Sequence, residues 1–226
     1  MGVAVTLGAM RYRDRSDAGR RLAQALIVAG YLPGRGALVL GVARGGVPVA
    51  APVAAALDGE LDVAVARKIR APMNPEFAIG AIALGGEPML NGRVIVDYAI
   101  PQGYVEGEVA AARREIERRT AVYRGVMRPP DMSDRLVIVV DDGVATGSTL
   151  IAVLRAVRAE APSPLVCAVP VGPRDTIASL ASEADDVVCP LQPRSFSAVG
   201  AWYRDFGQLA DEDVVAELRG QRGSPA

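Results

Sequence analysis

Histidine does not occur in the chain, and its absence removes the Ser-His-Asp triad, the histidine metal site and the histidine acid/base together. Cysteine is almost as scarce. Cys167 and Cys189 lie in apolar runs without metal-ligand spacing and read as small buried hydrophobes of a reducing compartment. An excess of either charge sign is missing too: the net charge is -1 and the isoelectric point about 5.6. Bulk charge therefore offers nothing to nucleic acid or an anionic membrane, and any basic site has to be local. No apolar run is free enough of charge and proline to span a bilayer, because Arg44, Pro48 and Pro52 interrupt the longest, Gly36 to Leu57. The opening "MGVAVTLGAMRYRDR" lacks the basic lead and long apolar centre of a signal peptide. The expectation is a soluble cytoplasmic protein without nucleic-acid or membrane partners, whose chemistry rests on carboxylates, cations, backbone amides or a bound metal.

What is present is apolar content, 50% of 226 residues, enough for one well-cored domain. Asp14 to Ala29 places Ala18, Leu22, Ala25, Leu26 and Ala29 on one helical face behind an Asp/Ser start. "ALVLGV" (Ala37 to Val42) then reads as a strand covered on both faces, followed by a helix with Pro48 in its first turn. "LDVAVA" (Leu61 to Ala66) is the next strand. "FAIGAIAL", "PML" and "RVIVD" follow, separated by Gly85-Gly86 and Asn91-Gly92, and together predict an antiparallel ribbon. Pro101 to Gly125 carries apolar residues at helical spacing and predicts one long helix; Glu115 and Glu117 lie among its arginines Arg113, Arg114, Arg118 and Arg119, and Glu115 can pair with Arg119, so that basic run reads as a solvated face. From Leu136 the alternation is regular: strand "LVIVVD", helix Ser148 to Ala159, strand "LVCAVPV", helix Asp175 to Glu183, strand "DVVCPL". Such repetition predicts an α/β fold, a parallel sheet with helices on both faces. A last helix, Asp211 to Leu218, precedes "GQRGSPA", a tail of fraying composition.

The chemistry concentrates in "VIVVDDGVATGSTL" (Val137 to Leu150). In a parallel sheet, ligands sit beyond the carboxyl ends of the strands, where this stretch falls. Backbone amides of Ala145 to Thr149, with the hydroxyls of Thr146, Ser148 and Thr149, suit a phosphate monoester at a helix start. Asp141 and Asp142 beside them would repel a polyphosphate unless they accept hydrogen bonds from sugar hydroxyls or face a divalent cation through its waters. A phosphorylated ribose satisfies both halves. The Walker lysine and the dinucleotide G-x-G-x-x-G are both missing. The bland alternative is a helix start after a buried strand, which leaves two adjacent acids without a packing purpose.

This stretch resembles the signature of the type I phosphoribosyltransferases: four apolar residues, two acids, a spacer, then Thr-Gly-Ser-Thr. The resemblance implies that Asp141 and Asp142 hold the ribose hydroxyls of phosphoribosyl diphosphate, and Mg2+ through water, while Ala145, Thr146, Gly147, Ser148 and Thr149 bind its 5-phosphate. "GVARGGVP" is similar to the family's diphosphate loop, which brings in Arg44, Gly45 and Gly46. "ARKIRAP" offers Arg67, Lys68 and Arg70; by resemblance one cation here contacts diphosphate, Lys68 matching best and Arg67 next, beside a loop that closes over the site. The implied architecture is a single phosphoribosyltransferase domain over 1–226, with a ribbon and long helix inserted at about 70–128 and a hood-like segment at about 190–219. The family commonly forms homodimers, and one is expected.

Ala145 departs from the pattern. Relatives acting on 6-oxopurines usually have an aspartate there, so the resemblance disfavours a 6-oxopurine acceptor without naming another. Phe196, Trp202, Tyr203 and Phe206 fall where relatives place base-contacting groups; they suit either stacking on a base or packing at the C-terminal helix or a subunit contact. Two functions remain open: a Mg2+-dependent transferase moving the phosphoribosyl group to a nitrogenous base, or a protein of the same fold that senses the donor or a nucleotide. A phosphate-binding hydrolase fits less well, since no nucleophile and base are evident.

Overall fold

Asp14 opens the first helix, accepting the Asp17 amide at 2.7 Å, and α1 (Arg15–Val28) buries Ala18, Leu22 and Leu26. The computed structural model describes residues 11–74, 77–125 and 128–220. Strand β1 (Leu38–Val42), buried throughout, runs into α2 (Val47–Leu57), with Pro48 in the first turn where a missing amide costs nothing. The chain returns as β2 (Glu60–Ala64), parallel to β1. A small antiparallel sheet follows, made of β3 (Ala66–Arg70), β4 (Ala78–Ala83) and β5 (Met89–Leu90). After α3 (Gly92–Asp97) and α4 (Gln102–Arg124) come β6 (Val137–Val140), α5 (Ser148–Arg158), β7 (Leu165–Ala168), α6 (Arg174–Leu180) and β8 (Asp186–Val188). A 3-10 turn at Val199–Trp202 and α7 (Asp211–Gly220) complete the described chain.

The five-stranded sheet is parallel, in the order β2-β1-β6-β7-β8. Alternate side chains of one strand enter opposite cores, as the two-residue period of a strand requires. Val39, Ile138, Val140 and Val166 pack with α1, α2, α4 and α7. Leu38, Leu40, Val137, Val139 and Cys167 pack with α5 and α6. Burial on both faces accounts for the continuous apolar runs in the sequence.

Two expectations need correction. "RVIVD" is helical, not a ribbon strand: the Asn91 side chain accepts the Val94 amide at 3.1 Å, so Asn91-Gly92 caps α3 instead of turning a hairpin. "LDVAVA" does not run unbroken, because β2 stops at Ala64 and the chain leaves the main sheet into β3, placing the Arg67 and Lys68 cations in a strand. The tail beyond Gly220 and the first ten residues lie outside the described residues.

Candidate functional site

The sheet order fixes the place of the site. From β1 the chain crosses to β2 on one side, and from β6 it crosses to β7 on the other. Loops leaving adjacent strands in opposite directions open a crevice at their carboxyl ends, the switch point where such sheets bind ligands. The loops concerned are the two singled out in the sequence, Ala43 to Gly46 and Asp141 to Gly147. They share a cavity of about 550 Å³, within the roughly 300–1,000 Å³ range of small-molecule sites.

Arg44, Gly45, Arg67, Lys68, Asp141, Asp142, Ala145, Thr146, Gly147, Ser148 and Thr149 all line it. Gly46 does not. A Cβ there would meet the Val140 carbonyl oxygen at 2.5 Å, so this glycine lets the loop pack on the sheet. Gly45 allows a close approach of another kind: its Cβ would collide with Asp142 Oδ2. Gly147 adopts φ +83, a left-handed conformation that suits glycine, and turns the chain into α5. Among the described residues no side chain caps that helix, which leaves its first amides aimed at the cavity. Thr176 braces the loop, its hydroxyl donating to the Ala145 carbonyl at 2.7 Å.

The two aspartates differ in their surroundings. Among the described residues Asp141 accepts only the Asp142 amide, at 2.8 Å. Burial, then the neighbouring Asp142 charge, push its carboxyl well above the usual carboxylate range, partly offset by Arg15 and Lys68. Asp142 is also raised by burial, but a hydrogen bond from Arg15 Nε, 2.9 Å from Oδ2, opposes the shift. Among the described residues no group of three or more acids or cysteines is placed to hold a metal ion. The pair instead fits a hydrated divalent ion whose remaining ligands come from a bound molecule: two desolvated carboxylates, one without a described cationic partner in contact, form a site that positive charge would relieve.

The cavity is otherwise cationic, with Arg44, Arg67, Lys68, Arg70 and Arg119 around it. Arg119 corrects the expectation that the basic run of α4 is a solvated face. Its pairing with Glu115, at 2.8 Å, is as read from the spacing, but the guanidinium also reaches the cavity wall. Glu115 further meets Arg67 at 3.5 Å, so one carboxylate holds two cavity cations.

The aromatic cluster packs rather than presenting open faces. Phe196 stacks on Trp202, Tyr203 tilts against Phe206 at 4.9 Å, and Tyr203 joins buried Tyr12, Ala18, Val171 and Leu191. Of the four, only Phe206 lines the cavity, together with Val199. Sequence reading missed Arg15 altogether. Its guanidinium donates to Asp142 across 127 positions and lies 3.9 Å from the Phe206 ring centroid, and no local pattern announces such a contact.

The description of a phosphoribosyl transferase domain matches residues 12–201. The chain belongs to that family. As a phosphoribosyl transferase domain it is similar to the crystal structure of TT1426 from Thermus thermophilus, at 45% identity over 92% of this chain and 98% of that one, with a TM-score of 0.75. Two Mycobacterium tuberculosis proteins, from strains CDC 1551 and H37Rv and provisionally named phosphoribosyl transferases, are 42% identical over 207 residues. That alignment takes in 92% of this chain and 46% of each relative, so the chain spans about half the length of the curated relatives it matches. The family match ends before Tyr203, Phe206 and Gly207, so the part of this phosphoribosyl transferase domain that meets Arg15 lies past it.

Proposed function

We propose that the chain transfers the 5-phosphoribosyl group from phosphoribosyl diphosphate to a nitrogenous base, a 6-oxopurine being disfavoured by Ala145, releasing diphosphate with Mg2+ bound. One observation carries this reading: a desolvated carboxylate pair and an uncapped helix N-terminus open into one cavity whose other described charged walls are all cationic. A ligand with a diol, a monoester phosphate and a diphosphate matches those three surfaces. The anomeric C–O bond breaks with its electron pair leaving on diphosphate, the base nitrogen forms the new C–N bond, and the base proton passes to solvent.

The assigned roles follow from the chemistry. Thr146, Ser148, Thr149 and the amides from Ala145 hold the 5-phosphate. Asp141 and Asp142 accept from the ribose hydroxyls and favour the positive charge that grows on the ribose ring as diphosphate departs. Arg44, Gly45, Arg67 and Lys68 receive the diphosphate. Mg2+, held through water by the two aspartates and by the donor's oxygens, would supply further neutralisation of the leaving group.

The test is release of labelled diphosphate from the donor, with Mg2+, across a panel of purine, pyrimidine and pyridine bases. Turnover with one base supports transfer. Mg2+-dependent binding without turnover on any base points to the sensing function, and absence of donor binding overturns the reading of the site. A cytoplasmic setting accords with the two free thiols, Cys167 and Cys189. A homodimer accords with exposed Met73, Phe77, Leu84, Leu90, Val96 and Tyr98 on the ribbon and α3. Sedimentation equilibrium at the monomer mass of 23.6 kDa would count against the dimer.

A further inference from the structure

We propose that Arg15 is a positioning residue for donor binding, holding the Asp142 carboxylate in place and cancelling one of the two negative charges beside the phosphate cradle. The inference rests on the reading of the cavity as a phosphoribosyl diphosphate site. Arg15 is gripped on three sides: Nε donates to Asp142 Oδ2 at 2.9 Å, Nη1 donates to the Gly207 carbonyl at 2.9 Å, and the guanidinium lies over the Phe206 ring. The Arg15 and Asp142 side chains are 12% and 14% exposed, which sets this pair apart from the solvated surface pairs that contribute little. A planar fork that is both stacked and hydrogen-bonded has one orientation available to it.

The backbone around Arg15 is fixed as well. The Tyr12 amide donates to Trp202 O at 2.8 Å, and the Arg204 and Asp205 amides return bonds of 2.9 Å each to Tyr12 and Arg13. The Tyr203 hydroxyl donates to the main-chain carbonyl of Asp142 at 2.5 Å. Both the carboxylate and the main chain of Asp142 are therefore held by residues outside its own loop, from the two ends of the described chain. Asp142 Oδ2 is committed to Arg15 and pressed against Gly45, leaving Oδ1 to accept from the donor.

This arrangement answers a difficulty visible in the sequence. Two uncompensated carboxylates next to an anion cradle would weaken the binding of a ligand that carries several phosphate charges. One carboxylate neutralised from behind, by a cation that does not line the cavity, leaves the hydrogen-bonding oxygen without the full repulsion.

The test compares wild type with Arg15→Met, Arg15→Lys, Asp142→Asn and the Arg15→Met/Asp142→Asn double variant. Calorimetric titration with phosphoribosyl diphosphate and Mg2+ is read beside steady-state diphosphate release. Arg15→Met is expected to weaken donor binding about 10- to 100-fold, raising KM for the donor more than it lowers kcat. Arg15→Lys should recover part of that loss, and the double variant should bind like Asp142→Asn alone. Wild-type affinity in Arg15→Met, or multiplying effects in the double variant, overturns the inference. Should Arg15→Met fail to fold, Arg15→Lys decides: it keeps the charge without the fork, so wild-type affinity there also overturns it. Wild type that itself binds no donor overturns the reading of the site, and this inference with it.

Discussion

Asp141 shows how a residue can oppose folding and still line a candidate site. Burial and the adjacent Asp142 raise its carboxyl above the usual range. For a carboxyl raised on folding, the folded chain binds more protons than the unfolded one at pH values between the two pKa values, so stability falls as pH rises through them. Asp141→Asn removes that cost. Its Tm is expected to rise by a few degrees, about 2–4 °C for each kcal/mol relieved in a chain of this size, while Mg2+-dependent donor binding is lost. A calorimetric scan and a donor titration check the two halves, and a fall in Tm with binding intact would remove Asp141 from the site. The adjacent acids were legible in the sequence because no packing role explains them. Arg15 was not, because its meaning arises only when residues 127 positions apart meet. At Gly46 the glycine-rich turn announces close approach, and the neighbour that a Cβ would meet is the protein's own Val140 carbonyl.

Among the elements, α4 joins the cavity wall to α7 and to the main sheet. Glu115 receives hydrogen bonds from Arg118 and Arg119, which hold its carboxyl down at about 2 from an ordinary 4.5. A depressed carboxyl contributes stability above its unfolded value, and that contribution is lost as pH falls from about 4.5 toward about 2. Urea unfolding of wild type should therefore weaken across that window, and Glu115→Gln should weaken less steeply. At its carboxyl end, α4 is tied to the main sheet by Arg124, whose Nη1 meets both oxygens of the fully buried Asp62 at 2.8 and 2.9 Å. Arg124→Met strands that charge and is expected to cost about 3–5 kcal/mol in urea unfolding. An unchanged midpoint would show that Asp62 is held by other groups. The elements of the main sheet were readable because burial on both faces writes continuous apolar runs between glycine turns. The misread α3 has no fully buried residue and sets only Val94 and Ile95 against the core, and so short an apolar segment carries a weak period.

On the scale of the whole molecule, the site is assembled from both ends of the described chain. The Tyr12 to Arg15 segment pairs with Trp202 to Asp205 beside the cavity, while β1 and β6 supply the two loops at the switch point. The fold and the two cavity loops follow from local patterns, which a single sequence displays. The Val199 and Phe206 wall does not, because these residues reach the cavity from a segment whose course is set by tertiary packing. Recognition of phosphoribosyl diphosphate by one cavity, through its diol and its phosphates together, is measured by calorimetric titration of the donor, with and without Mg2+, into wild type and the Asp141→Asn/Asp142→Asn variant. Saturable, Mg2+-dependent binding to wild type and a loss of at least about 100-fold in the variant are expected; equal affinity in the two proteins would show that the aspartates take no part in it.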